Sequence, residues 1–303
     1  MYKEFEHNLR HNIKCEFMKE AVLAEHCWYR IGGPADFLVF PRDILQLKKL
    51  LKTCRELSVP YYVIGSGANL LIHDSGFRGV IIKLTGSFEE IALEANIVSA
   101  GAGTELQELI RFCEKRELAG MAYLAGIPGT LGGALTMNAG TDKGVIGDIV
   151  KEVSVITSAG KVENYESNQI NFSYRSVPQL QGKLICFCQL ALTSGNKQEI
   201  REIRLKQLQI RKEKQPLNYP SCGSVFKRPP GNFAGKLIEE AGLKGLRYGD
   251  AQISEKHAGF IVNLGSAKAA EVKYLMDKVQ EVVFSRFGIQ LEPEVKLLGF
   301  QES

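Results

Sequence analysis

The chain has 303 residues, 45% of them apolar and 24% charged, with a formal net charge of +4. That is the composition of a globular chain with enough apolar residues for a sizeable core, and so small and dispersed a charge gives no reason to expect nucleic acid or a membrane surface as partner. The seven cysteines are odd in number and include no C-x-x-C pair, which argues against a disulfide framework and a structural zinc site, so a reducing cytoplasm and no metal are expected.

The first twenty residues are dense in charge and lack an apolar leader core. No later run approaches the ~20 apolar residues of a membrane span, so neither export nor membrane insertion is expected. Ile44, Leu47, Leu50, Leu51, Cys54 and Leu57 fall on one face of a helix over 43–58, with Asp43 as its N-cap and Pro60 closing it. Tyr61 to Ile64 and Val80 to Leu84 read as strands on either side of a glycine turn. Thr104-Glu105-Leu106-Gln107 has the form of a capping box, and Leu106, Leu109, Ile110 and Cys113 carry a helix on to about Arg116. Residues 151–165 alternate in polarity around Ser158-Ala159-Gly160 and predict a β-hairpin. Helices are expected over 197–212 and 266–287, the second ending before Gly288, with a domain boundary near residue 195. Strands and helices do not alternate as a doubly wound sheet requires, so the fold class is α+β.

Two glycine-rich segments stand out. Ile64-Gly65-Ser66-Gly67-Ala68-Asn69-Leu70-Leu71 follows a strand and is either an ordinary tight turn or a phosphate cradle, since GxG without the third glycine is not a dinucleotide fingerprint. Ala125 to Gly140 is so dense in glycine and small residues that backbone packed against a flat or phosphorylated ligand explains it more simply.

Together with Tyr29-Arg30-Ile31-Gly32-Gly33-Pro34-Ala35-Asp36, the segments Gly65 to Leu71, Gly126 to Gly133 and Met137-Asn138-Ala139-Gly140 resemble the UDP-N-acetylenolpyruvoylglucosamine reductase family. Further blocks continue the likeness, in the same order, to about residue 300. The resemblance implies an N-terminal segment (1–25), an FAD-binding domain of the vanillyl-alcohol-oxidase (PCMH) type (26–195) and a C-terminal α+β substrate-binding domain (196–303). It implies NADPH-dependent, FAD-mediated reduction of UDP-N-acetylglucosamine enolpyruvate to UDP-N-acetylmuramate, a step in peptidoglycan precursor synthesis. The FAD would be held by Arg30, by Ile64, Gly65, Ser66, Gly67, Ala68, Asn69 and Leu70, and by Gly126, Ile127, Pro128, Gly129, Thr130, Gly132, Gly133 and Ala134. No histidine lies in either loop, His73 coming just after the first, so the FAD is expected to be noncovalent. Thr141-Asp142-Lys143-Gly144 departs from the Ala-Tyr-Gly expected after Gly140. The interval from Asn138 to Arg175 is too short for the tyrosine-bearing loop of longer relatives, as in the compact subclass.

Reducing an enolpyruvyl double bond takes a hydride at one carbon, stabilisation of an enolate and a proton at the other carbon. By resemblance, Arg175 in Asn171-Phe172-Ser173-Tyr174-Arg175-Ser176 is the catalytic arginine, Ser224 in Ser221-Cys222-Gly223-Ser224 the proton donor, and Glu294 in Glu292-Pro293-Glu294 the catalytic glutamate. Lys214, Lys227 and Arg228 would bind the substrate's diphosphate. A serine needs nearby cations to act as an acid, and Lys227 and Lys214 are near in sequence. Cys222 is a rival acid or nucleophile, Glu292 a rival carboxylate, and His257 is read as structural. A monomer is favoured. An oxidase on the same FAD domain and a nucleotide- or nucleic-acid-binding protein using the basic stretch Arg201 to Lys214 are the alternatives.

Overall fold

The computed structural model describes residues 2–300; Met1 and 301–303, the ends of the expected first and last segments, lie outside the described residues. The chain forms two compact units, and neither is one stretch of sequence. The first is Met1–Lys19, Phe37–Gly65 and Gly79–Ile210; the second is Glu20–Asp36, Ser66–Arg78 and Arg211–Ser303.

A four-stranded sheet runs in the order Glu16–Val22, Pro34–Phe40, Phe77–Lys83, Tyr61–Ile64, and most of its residues belong to the first unit. The last two strands are parallel, Tyr61 opposite Val80 and Ile64 opposite Lys83. A five-stranded antiparallel sheet follows, in the order Val162–Glu166, Val150–Ile156, Leu184–Ala191, Ile97–Gly101, Ile91–Glu94. Its first two strands are the predicted hairpin, with Ile156 opposite Val162. The helix Ile44–Glu56 starts where its sequence says it should, the Asp43 carboxylate accepting from the Gln46 amide at 2.8 Å, and it buries Leu47, Leu50, Leu51 and Cys54.

One feature was not read from the sequence, and one that was expected does not form. The charge-dense start of the chain forms a helix, Tyr2–Asn8, and a wider turn, Leu9–Ile13. Phe5, Leu9 and Ile13, spaced by four, enter the core, with the Phe5 and Phe37 rings 5.1 Å apart. The expected capping box at Thr104 does not form. Glu105 precedes the helix Leu106–Lys115 without a side-chain cap, and Gln107 is engaged elsewhere.

In the second unit Leu70–Ile72 pairs in parallel with Lys296–Leu298, and Arg247–Tyr248, Ala251–Ile253 and Ile261–Asn263 form a three-stranded antiparallel sheet. The long helix, Ala269–Phe287, starts three residues later than predicted because its first amides are capped from outside: the Asp74 carboxylate accepts from Ala269 at 2.8 Å and Ala270 at 3.1 Å. Val272, Leu275, Met276, Val279 and Val283 form its buried face. The architecture is α+β. Among the described residues no helix is long and apolar enough to cross a membrane, and no cluster of three or more His, Cys, Asp or Glu could hold a metal ion.

Candidate active site

In the second unit, backbone pairing brings the two distant blocks that carry Ser224 and Glu294 side by side. The Glu294 amide donates to the Val225 carbonyl at 2.7 Å, the Lys227 amide to the Glu292 carbonyl at 2.8 Å, and Phe226 bridges Pro293. Glu294 is therefore paired with Val225, the neighbour of Ser224, and Ser224 and Glu294 are both half-buried. Val225, whose amide bonds the Gly259 carbonyl at 2.9 Å, is buried and anchors the pair. Asn69 is drawn to the same place: its side-chain amide donates to the Glu294 carbonyl at 3.1 Å and its own carbonyl accepts from Lys296 at 3.0 Å. Of the residues expected on FAD, Asn69 is thus also a brace for Glu294.

Two rivals are separated by this geometry. The Glu292 carboxylate is mostly exposed and ion-paired to Lys227 at 2.8 Å, and that hydrogen bond lowers its pKa. The Cys222 thiol is buried, and burial pushes its pKa far up, so it remains a protonated core group. His257 accepts from the Gly259 amide at 3.1 Å, and burial lowers its pKa, as suits a structural imidazole. Lys214 is the exposed last residue of the helix Lys197–Lys214, and the Arg228 guanidinium lies 3.9 Å from the Phe233 ring centre. Arg30 is exposed in a left-handed backbone at φ +54°, beside the buried Tyr29, whose hydroxyl bonds the Ile261 carbonyl at 2.9 Å.

In the first unit, Arg175 sits at the tip of a tight turn closed by reciprocal Ser173 and Ser176 backbone bonds of 2.9 and 3.3 Å. The second glycine-rich segment is tied down at both ends. The Leu106 amide bonds Gly129, Leu131 bonds Thr104 and Gly132 bonds Ala102, and Thr130 caps the short helix Leu131–Thr136. The Gln107 side chain grips its beginning, Nε2 donating to Ile127 at 2.7 Å while Oε1 accepts from Gly126 at 2.9 Å. Sequence reading missed this clamp because a glutamine in a helix's first turn carries no sign of which loop will pass beneath it. Thr141-Asp142-Lys143-Gly144 folds into a small hairpin, Gly144 opposite Thr141.

Known proteins resemble both parts. The FAD binding domain family matches residues 35–166, and the UDP-N-acetylenolpyruvoylglucosamine reductase C-terminal domain family matches 215–298. UDP-N-acetylenolpyruvoylglucosamine reductase 2 of Symbiobacterium thermophilum is 45% identical over 279 residues, covering 91% of this chain and 90% of its own. The Clostridioides difficile reductase is also 45% identical, over 91% of both chains. The chain belongs to the UDP-N-acetylenolpyruvoylglucosamine reductase family. It is a flavin-dependent oxidoreductase, and a solved reductase of this family, from Thermus caldophilus, is 36% identical and matches with a TM-score of 0.81 over 94% of this chain and 98% of that one. The fold is accordingly the FAD-binding domain of PCMH type with the reductase family's C-terminal domain.

The glycine segments of this reductase-family chain fit an FAD. A Cβ on Gly65 would fall 2.3 Å from Thr130 Oγ1, so the two loops abut with bare backbone where a larger residue would part them. Gly129 has φ +124°, open only to glycine. The Ser66 hydroxyl is buried with no protein partner among the described residues, a cost that a ligand's acceptor would remove.

Proposed function

We propose that this chain reduces the enolpyruvyl ether of UDP-N-acetylglucosamine enolpyruvate to UDP-N-acetylmuramate with NADPH as hydride donor, in the cytoplasm, as a step of peptidoglycan precursor synthesis. The observation that carries the reading is the backbone pairing of the Ser224 and Glu294 blocks through Val225, in a chain whose relatives are reductases of this name. Arg30, residues 64–70, residues 126–130 and residues 132–134 would hold FAD noncovalently, and the FAD would supply the hydride-transfer chemistry that connects NADPH with the substrate.

The protein's side chains do the remainder. Arg175, a fixed planar cation, holds the substrate carboxylate and stabilises negative charge on the enolate oxygen. Glu294 hydrogen-bonds the same enolic group, and the Ser224 hydroxyl delivers the proton to the substrate carbon, regaining one through Glu294 or solvent. Lys214, Lys227 and Arg228 meet the diphosphate. Lys227 can do so because its pair with Glu292 is a solvent-screened surface pair, which a phosphate displaces. Residues 26–195 act as the FAD-binding domain and 196–303 as the substrate-binding domain of a monomer.

The test is product analysis. Purified protein given NADPH and UDP-N-acetylglucosamine enolpyruvate is expected to form UDP-N-acetylmuramate, one for each NADPH consumed. NADPH consumption that needs oxygen and ignores the UDP-sugar would contradict it and favour the oxidase alternative.

A further inference from the structure

We infer that Asn138 is the positioning residue of Arg175, holding the turn on which that arginine stands. Asn138 belongs to the segment Met137 to Gly140, and no step of the reaction uses it. It is buried, 3% exposed, in a left-handed backbone at φ +42° that asparagine tolerates better than most residues. Its Nδ2 donates to the Ser173 carbonyl at 3.1 Å and its Oδ1 accepts from the Gly147 amide at 3.1 Å. Ser173 is the first residue of the Arg175 turn, and the same carbonyl closes that turn by accepting from Ser176.

A second contact points the same way. Phe172, just before the turn, packs so closely over Gly147 that a Cβ there would lie 2.5 Å from the Phe172 ring. One amide therefore holds both the carbonyl that starts the turn and the glycine under its neighbouring ring. Arg175 has φ +54°, a left-handed conformation that an arginine keeps only while its surroundings hold it. Without the Asn138 donor the turn can relax toward extended backbone and swing the guanidinium away. Displacement on the order of 1 Å at a reacting group can cost about a hundredfold in rate.

The inference rests on the reading of Arg175 as the group that holds the substrate carboxylate. It predicts that Asn138 serves the substrate half-reaction alone, and only through Arg175. The experiment uses the FAD-loaded full-length protein and follows two anaerobic reactions: bleaching of the flavin by NADPH, and its recovery on adding UDP-N-acetylglucosamine enolpyruvate. Asn138→Asp keeps the acceptor for Gly147 and loses the donor to Ser173; Asn138→Gly keeps the left-handed backbone and loses both. Each is made alone and with Arg175→Ala.

Alone, each is expected to slow recovery by at least about tenfold while bleaching stays within about twofold; in the Arg175→Ala background the same change is expected to slow recovery by less than about twofold. Full additivity with Arg175→Ala, an equal loss of both reactions, or failure of both variants to load FAD would overturn the inference and leave Asn138 a general structural residue. If Arg175→Ala itself recovers at the normal rate, the reading of Arg175 falls first and the inference falls with it, an outcome distinct from the other three.

Discussion

At Ser224 the proposed chemistry asks more of a hydroxyl than it does unaided, so its neighbours carry the argument. The backbone pair through Val225 brings the Ser224 segment against the Glu294 segment, and Asn69 braces the Glu294 carbonyl. Ser224→Ala should leave flavin bleaching by NADPH intact and slow recovery by substrate by about 10²- to 10⁴-fold, the usual size of a lost general acid. Equal slowing of both reactions in rapid-mixing measurements would remove Ser224 from the proton-donor role. At Gln107, replacement by Leu strips partners from the Ile127 carbonyl and the Gly126 amide at once. That costs ~1–3 kcal/mol per unsatisfied group, and FAD retention on dilution should weaken by about tenfold or more. Unchanged retention, read by flavin fluorescence, would show that the clamp does not serve the cofactor loop.

At the scale of the elements, the N-terminal helix is the clearest case of a segment whose role its sequence hides. Charge dominates residues 1–20, yet three apolar side chains four apart dock it into the core. Phe5→Ala should cost ~3–5 kcal/mol in a denaturant melt, the penalty of a large buried deletion; a loss under ~1 kcal/mol would mean that the helix only rests on the surface. Other elements were legible because local signals and tertiary packing agree. Asp43 caps the helix it precedes, and the 151–165 alternation pairs as a hairpin. The site was legible as blocks and not as geometry. Nothing local says that Val225 will pair with Glu294, across about seventy residues, or that Asp74 will cap a helix starting at Ala269. The capping box failed for the converse reason: tertiary bonding to the 126–127 loop outbid a local cap for Gln107.

For the molecule as a whole, all seven cysteines are buried and burial raises every thiol pKa, to about 12 for Cys15, Cys54, Cys113 and Cys186. Unfolded thiols ionise from about pH 8.5 while the folded ones keep their protons, so the unfolded state holds fewer protons over roughly pH 9–12 and gains ground there. Stability should therefore fall as pH rises through that window. Urea midpoints at pH 8 and pH 10 test this, and a flat or rising midpoint would contradict it. The central claim, a flavin that passes electrons from NADPH to a UDP-sugar enolpyruvate, is tested most directly by an anaerobic spectral titration of the purified protein. Bleaching of the visible flavin bands by NADPH, followed by their return on addition of UDP-N-acetylglucosamine enolpyruvate alone, is the predicted result. A colourless protein, or a flavin restored by oxygen and not by the UDP-sugar, would contradict it.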